Sequence, residues 1–229
     1  MKIYILQDPV DLSCARLRLV GGTGHERCIG CGKSVRFLKP KSRTYEWVNG
    51  SDTVCDFVWP GNLTSEVVVT DLVAQSLVSH GVDLIPIEFF EEQSKRWRAD
   101  YPKGPCIKLP YDGPKLFNLY IDNWINLNLE KSSLEPLLKC DTCKYTNYRP
   151  LHVEVNKHKY NLKTKKLDNI VSPRKKGKGV FIQSDLISKF DFFRIYETPH
   201  MMYCSEKGKK VIESNGSTNV LFVEMGETY

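Results

Sequence analysis

Short apolar runs bounded by turn residues dominate the chain and predict β-strands. The clearest runs lie at residues 2–6, 16–20, 54–59 and 117–121. They are too short for buried helices, and their β-branched and aromatic residues favour strands. Helical spacing is confined to a few short segments. The pattern therefore predicts an α+β fold built around a mixed sheet.

One segment predicts a complete strand-helix-strand unit. Strand residues at 66–69 lead to Thr70 as a helix N-cap, and Gly81 ends the helix before a strand at 84–87. The same order recurs near the end of the chain, with four matched positions displaced by 135 residues: Thr70, Asp71, Leu77 and Gly81 correspond to Ser205, Glu206, Ile212 and Gly216. We predict two similar strand-helix-strand units, in related α+β halves at 54–135 and 180–229. Independent use of common capping residues is the alternative.

Two Cys-x-x-Cys pairs carry the strongest chemical signal. The first is Cys28-Ile29-Gly30-Cys31-Gly32, and the second is Cys140-Asp141-Thr142-Cys143. Two residues between the cysteines let both thiolates reach one tetrahedral zinc ion at about 2.3 Å. Glycine after the second cysteine permits the left-handed backbone of a zinc knuckle. We predict a structural Zn²⁺ site with four ligands: Cys28, Cys31, Cys140 and Cys143.

Two features bear on this metal prediction. Lys144 stands where the first pair has a glycine, which costs about 1 kcal/mol if the backbone there is left-handed. The 108 residues between Cys31 and Cys140 cost on the order of 4 kcal/mol in loop closure, against roughly 10–16 kcal/mol from structural zinc in small peptides. A metal-free ribbon and redox-active or disulfide-bonded cysteines are the alternatives. In a reducing compartment the other cysteines are interpreted as buried small hydrophobes: Cys14, Cys55, Cys106 and Cys204.

Positive charge is concentrated in one segment. The net charge is +6, but residues 157–178 carry +8, with Asp168 as their one acidic residue, and the rest of the chain carries −2. The segment predicts a long hairpin that closes in the Lys/Gly-rich loop 173–179. Residues 26–34 and 138–180 are expected to form a zinc-ribbon element with this hairpin, inside one composite unit at 1–229. The predicted partner-binding residues are Trp124, Lys157, Lys159, Lys163, Lys165, Lys166, Arg174, Lys175 and Lys176.

Common signatures of membrane insertion, secretion and catalysis are absent from the sequence. No apolar stretch approaches the ~20 residues that span a bilayer, and the N-terminus has no secretory h-region. We therefore expect a cytoplasmic protein. There is no HExxH, GxSxG or dinucleotide-binding motif, so we expect a protein that is not an enzyme. A catalytic site assembled from distant residues is the alternative, with four candidates: Asp56, Asp191, Arg194 and His200.

The chain resembles the bacterial double-CXXCG motif proteins along its whole length. The resemblance is carried by the two cysteine pairs, by Asp56-Phe57-Val58-Trp59 and residues 81–86, and by Asp191-Phe192-Phe193-Arg194, residues 202–206 and Gly216. Lys144 and the lysine-rich insert depart from the family pattern. Members of this myxobacterial paralogous set act as immunity proteins against contact-delivered polymorphic toxins. The resemblance implies a zinc ribbon, no catalysis, and binding of a cognate toxin encoded by an adjacent gene.

Two functions are compatible with these patterns. The first is an immunity protein that neutralises its toxin by binding, with the basic segment steering association with an acidic face of the toxin. The second is a zinc-ribbon nucleic-acid-binding protein that uses residues 157–178 against phosphates. Trp47, Trp97 and Trp124 are interface candidates, because exposed aromatic side chains concentrate binding energy.

Overall fold

The structure is a computed structural model that describes residues 1–22, 25–32, 34–61, 65–90, 104–161 and 166–229. No helix within these ranges combines the length and the apolar character needed to span a membrane. In chain order the strands and helices are β1 Lys2–Gln7, β2 Arg16–Gly21, β3 His25–Arg27, β4 Ser34–Phe37, β5 Arg43–Val48, β6 Phe57–Val58, β7 Val68–Thr70, α1 Asp71–Val78, β8 Asp83–Phe89, β9 Leu116–Tyr120, β10 Trp124–Ile125, β11 Leu134–Lys139, β12 Thr146–Pro150, β13 Val155–Asn161, β14 Lys166–Ser172, β15 Val180–Ile182, α2 Ser184–Ile187, β16 Phe192–Ile195, β17 Tyr203–Ser205, α3 Glu206–Ser214 and β18 Leu221–Thr228.

Most of these strands belong to two six-stranded mixed sheets. In the first sheet the order is β2-β5-β8-β9-β7-β6, and in the second sheet it is β10-β16-β17-β1-β18-β15. Paired strands are antiparallel except for β5–β8, β10–β16 and β15–β18, which are parallel. The predicted mixed, sheet-rich α+β architecture is confirmed. The prediction of one sheet is wrong, because the strands divide between two.

A central apolar core joins the two sheets through the two longer helices. Phe57 comes from the first sheet, Phe192 from the second, Leu77 from α1 and Ile212 from α3. Each of these side chains is almost completely buried, and burial of a side chain of this size contributes roughly 1.5–3 kcal/mol. Helices α1 and α3 also contact each other. This shared core holds the sheets together.

The strand pairs that lead into α1 and α3 have matching registers. Phe57 pairs with Val69 in the first sheet, and Phe192 pairs with Cys204 in the second. Each residue of the first pair thus has its counterpart 135 positions later. The glycines that end the two helices are both left-handed, as predicted: φ is 80° at Gly81 and 63° at Gly216.

The two helices begin alike but are capped differently. The N–H of Thr70 donates to the carbonyl of Asp56 at 3.1 Å, and the N–H of Ser205 donates to that of Asp191 at 2.9 Å. The Ser205 hydroxyl also accepts a hydrogen bond from the N–H of Gly208, as the predicted N-cap requires. The Thr70 side chain makes no such cap. Both hydroxyls donate to the matching carboxylate at 3.4 Å, that of Thr70 to Asp56 and that of Ser205 to Asp191.

Among the described residues, three two-stranded hairpins are separate from the two sheets: β3–β4, β11–β12 and β13–β14. A two-stranded hairpin is only marginally stable by itself in water, so each depends on contacts or cross-links. In β13–β14, the basic hairpin, Val155 pairs with Ser172 and Asn161 pairs with Lys166. The prediction that this hairpin closes in residues 173–179 is wrong, because that segment follows β14 and leads into β15.

Cys14 and Cys55 form a disulfide, with Cα atoms 5.7 Å apart across 41 residues of sequence. Their interpretation as unpaired buried thiols is therefore wrong. No local motif marks the pair, since tertiary folding brings their segments together. Disulfides are rare in reducing compartments, so this bond weighs against the cytoplasmic prediction. Cys204 is fully buried as predicted, and burial raises the pKa of its thiol, whereas Cys106 is partly exposed.

Candidate metal centre

The two Cys-x-x-Cys pairs lie at the turns of two antiparallel hairpins. Cys28 and Cys31 lie between β3 and β4, and Cys140 and Cys143 lie between β11 and β12. The chain reverses direction within a few residues in both hairpins. Each turn therefore presents two thiols together with nearby backbone N–H groups.

The four sulfur atoms form one compact cluster, within 4.8 Å of one another. Cys28 Sγ lies 3.8 Å from Cys140 Sγ, and Cys31 Sγ lies 3.9 Å from Cys143 Sγ. A tetrahedral site with metal–sulfur bonds of about 2.3 Å separates its sulfurs by about 3.8 Å. The predicted meeting of the two pairs is confirmed, and the cluster has the dimensions needed to hold a metal ion.

The two turns touch each other directly beside the sulfurs. A Cβ atom added to Gly30 would lie 2.3 Å from Oγ1 and 2.9 Å from Cβ of Thr142. Real Cβ atoms do not approach other atoms so closely, so only glycine at position 30 allows this contact. Nothing in the sequence marks Gly30 for this role, because its importance depends on the packing of the other turn.

The residues that follow the second cysteine of each pair adopt the same backbone conformation. The φ angle is 67° at Gly32 and 58° at Lys144. The expected left-handed geometry is thus confirmed at both turns. Lys144 adopts it despite carrying a side chain, at a cost of about 1 kcal/mol.

Backbone N–H groups stabilise negative charge on the first sulfur of each pair. The N–H groups of Cys31 and Gly30 lower the pKa of Cys28, and the Gly30 N–H lies 3.3 Å from the sulfur. In the second turn, the N–H of Cys143 is the main group that lowers the pKa of Cys140 to about 6. Both first cysteines are therefore favoured as thiolates.

The last sulfur of the cluster shows the opposite tendency. The N–H of Tyr145 lowers the pKa of Cys143, but burial and the neighbouring sulfurs outweigh it and raise that pKa to about 12. Ionisation of one sulfur opposes ionisation of the next because like charges repel at this distance. A bound cation would offset this repulsion and favour four thiolates.

The cluster is a closed site. Cys28 and Cys140 are buried, while Cys31 and Cys143 are partly exposed. Four protein ligands fill a tetrahedral coordination shell and leave no position for water or substrate. This arrangement is typical of structural metal sites and differs from catalytic sites, which keep one position open.

The structure describes the side chains of four of the predicted partner-binding lysines. Exposed lysines lie on β13 and on the segment after β14: Lys157, Lys159, Lys175 and Lys176. Lys163 and Lys165 lie outside the described residues, and only the backbone of Lys166 is described. The structure therefore describes the exposed lysines on strand β13 and at the base of the basic hairpin.

Arg174 was predicted to bind a partner at the surface, but its side chain has partners within the fold. Its side chain is 6% exposed, and it forms ion pairs with Glu224 at 2.7 Å and Glu227 at 3.2 Å. It also donates a hydrogen bond to the carbonyl of Lys178. Arg174 therefore anchors the base of the basic hairpin to β18.

The predicted interface tryptophans differ in exposure. Trp124 is partly exposed, and its ring lies 5.2 Å from that of Tyr196, centroid to centroid. Trp47 is buried and packs against Phe89 and Tyr111. Trp97 lies outside the described residues. Trp124 is thus the accessible ring among the two that the structure describes.

The carboxylates considered for an assembled catalytic site bridge the two sheets. Asp56, before β6 in the first sheet, accepts a hydrogen bond from the N–H of Thr218 at 2.9 Å. Asp191, before β16 in the second sheet, lies 2.7 Å from Nδ1 of His80, which follows α1. Arg194 is 4% exposed and donates to two backbone carbonyls. These contacts serve to cross-link elements of the fold.

Comparison with known proteins adds no identification. No protein-family model matches the chain, and no curated protein matches it either. The double-CXXCG resemblance therefore rests on the motif residues themselves. The candidate metal centre rests on the geometry of the four sulfurs.

We expect Lys144→Gly to stabilise the protein by about 0.5–1 kcal/mol. Glycine adopts a φ of 58° without a Cβ penalty, and its greater freedom in the unfolded chain offsets part of the gain. Urea denaturation of the metal-loaded protein measures the change.

The reverse substitution at the matching position is the control. Gly32→Lys should destabilise by about 1 kcal/mol, because a Cβ there meets nothing within 4 Å and only the backbone conformation opposes it. Stabilisation by both substitutions, or by neither, would contradict the equivalence of the two turns.

Proposed function

We propose that this chain is a non-catalytic immunity protein that binds and neutralises a cognate bacterial toxin. The observation that carries the proposal is the cluster of four sulfurs, which unites the two motifs of the double-CXXCG resemblance. The toxin is expected to be the product of an adjacent gene. A specific complex of this kind buries roughly 1,200–2,000 Å² of surface in total.

We infer that the metal is a structural zinc ion. Zinc favours tetrahedral sites made of thiolates, and the sulfur separations of 3.8 and 3.9 Å fit such a site. The β11–β12 hairpin has little core of its own, since residues 136–139 of β11 are exposed. The ion would therefore take the place of an apolar core in holding the two hairpins together.

Purified protein is expected to contain one zinc ion per chain by elemental analysis. Cys140→Ser should lose most of the zinc and lower the melting temperature, because it removes one of four thiolates. Cys106→Ser is the matched control, since Cys106 belongs neither to the cluster nor to the disulfide. Protein that is fully folded without metal, with a melting temperature unaffected by chelator, would contradict the zinc assignment. Visible absorption would identify iron in place of zinc.

We also propose that residues 54–135 and 180–229 are related halves. The strand order β6-β7-β9-β8-β5 in the first sheet corresponds to β16-β17-β1-β18-β15 in the second. The last pair is parallel in both series, and the other pairs are antiparallel. In this correspondence β1 takes the place of β9, and β5 extends the first half before residue 54.

We propose that the basic hairpin meets an acidic face of the toxin. Lys157 and Lys159 project from the same face of β13, because alternate residues of a strand share a face, and both are exposed. Lys175 and Lys176 add exposed positive charge at the hairpin base. Arg174 is not part of this surface, since carboxylates offset its charge. Complementary charge mainly raises the association rate.

The double variant Lys157→Glu/Lys159→Glu is expected to slow association with the neighbouring gene product about tenfold or more at low salt. Lys189→Glu/Lys210→Glu changes the net charge equally at two other exposed lysines and should have a smaller effect. Stopped-flow or surface plasmon resonance measures the rates, and co-expression measures rescue of growth. If both variants slow association equally, the basic hairpin is not the surface that meets the toxin. If the neighbouring gene product is neither toxic nor bound by this protein, the proposed immunity function is wrong.

Nucleic-acid binding is the second candidate, and the shape of the basic hairpin favours it. A two-stranded antiparallel ribbon fits the major groove of DNA, and β13–β14 is such a ribbon with exposed lysines. Fluorescence anisotropy with a duplex of about 20 base pairs, between about 50 and 200 mM salt, tests it. This function predicts steep salt dependence, and Lys157→Glu/Lys159→Glu should reduce the log–log slope by about 2. Weak binding of the duplex that changes neither with salt nor with Lys157→Glu/Lys159→Glu would exclude nucleic-acid binding as the function.

A further inference from the structure

A cleft of about 400 Å³ opens between the loop that precedes β2 and the segment that follows β5. One wall consists of Val10, Leu12, Cys14 and Arg16, and the other consists of Val48, Asn49, Gly50 and Ser51. Small-molecule pockets typically have volumes of 300–1,000 Å³ and mainly apolar walls. The cleft meets both conditions, and it shares no residue with the candidate metal centre.

Several contacts fix the walls of the cleft. Cys14 is bonded covalently to Cys55, and the Ser51 hydroxyl donates to the carbonyl of Ser13. The strands that lead away from the cleft, β2 and β5, form an antiparallel ladder that is regular next to the cleft, from the Arg16–Val48 pair to the Leu19–Tyr45 pair. The cleft is therefore preformed, and a ligand would not have to order its walls before binding.

Val10 has an unusual backbone conformation on the first wall. Its φ is 57°, which is rare for a β-branched residue. The N–H of Val10 donates to Asp8 Oδ1 at 2.7 Å, and the same carboxylate pairs with Arg16. Residues held in this way cluster at ligand-binding positions. Here the conformation keeps an apolar side chain on the wall of the cleft.

The chemistry of the walls selects the kind of ligand. Asp8 offsets the positive charge of Arg16, so the cleft offers no unbalanced cation to an acidic group. Leu12 is 55% exposed and contributes apolar surface that an apolar ligand would cover. Val10 and Val48 add further apolar surface. The preferred occupant is therefore neutral and apolar.

We propose that this cleft is a binding site for a neutral, apolar small molecule. The site is independent of the toxin-binding function and of the metal. Its ligand packs against Val10, Leu12 and Val48, beside the disulfide and the side chain of Arg16.

Indole, as a neutral apolar probe, tests this site by NMR titration of ¹⁵N-labelled full-length protein. We expect saturable shifts centred on the amides of residues 10–16 and 48–51. Leu12→Asp should weaken indole binding at least tenfold, because it places a charge on the apolar wall. Leu72→Asp makes the same chemical change at another exposed leucine, on α1, and should leave binding unchanged.

Indole-3-acetate distinguishes a neutral ligand from an acidic one. The proposal expects it to bind more weakly than indole, since Arg16 is already paired with Asp8. If indole-3-acetate binds more tightly than indole, the proposal that the ligand is neutral is wrong. Shifts that do not saturate, that lie elsewhere, or that respond equally to Leu12→Asp and Leu72→Asp would overturn the site. The amide spectrum of each variant verifies that it is folded.

Discussion

Close approach of four cysteine sulfurs is the constraint on which the hairpin part of this protein depends. Neither β3–β4 nor β11–β12 joins a large sheet, and a two-stranded hairpin has little stability alone. Within 4.8 Å, four thiolates repel one another unless a cation lies between them. A metal ion would turn this repulsion into the strongest link between the hairpins, and Gly30 allows the turns to come close enough for it.

Seven of the eight cysteines of the chain fall into three structural groups. Four form the sulfur cluster, Cys14 and Cys55 form a covalent cross-link, and Cys204 fills space in the central core. The disulfide stabilises by restricting the unfolded chain, whereas Cys204 contributes through burial. The same side chain therefore stabilises three regions by three mechanisms, and its surroundings decide which one applies.

Charged side chains also act largely as structural links. Arg174 anchors the base of the basic hairpin to β18 through Glu224 and Glu227. The carboxylates of Asp56 and Asp191 bridge the first and second sheets. Polar groups bonded in this way hold elements of the fold together. The exposed lysines of the basic hairpin are different, because they leave positive charge at the surface.

Local sequence signals predicted the parts of the structure that local physics controls. Apolar runs located strands such as β1, β2 and β9, because burial of one face is repeated along each strand. The N-cap at Ser205 and the glycines at positions 81 and 216 marked the helix ends, since capping satisfies backbone groups within one turn. Cysteine spacing identified the four cysteines that meet in the cluster, because Cys-x-x-Cys spacing lets both thiols of a pair point to one place.

Tertiary structure alone decided which distant segments meet. The sequence did not indicate the Cys14–Cys55 bond, the division into two sheets, or the contact between Gly30 and Thr142. The sequence also suggested a surface position for Arg174, because its carboxylate partners lie about 50 residues away in the chain and could not be recognised. Such pairings follow from how whole faces pack and which charges are buried together. The residues adjacent in sequence therefore do not predict these long-range pairings.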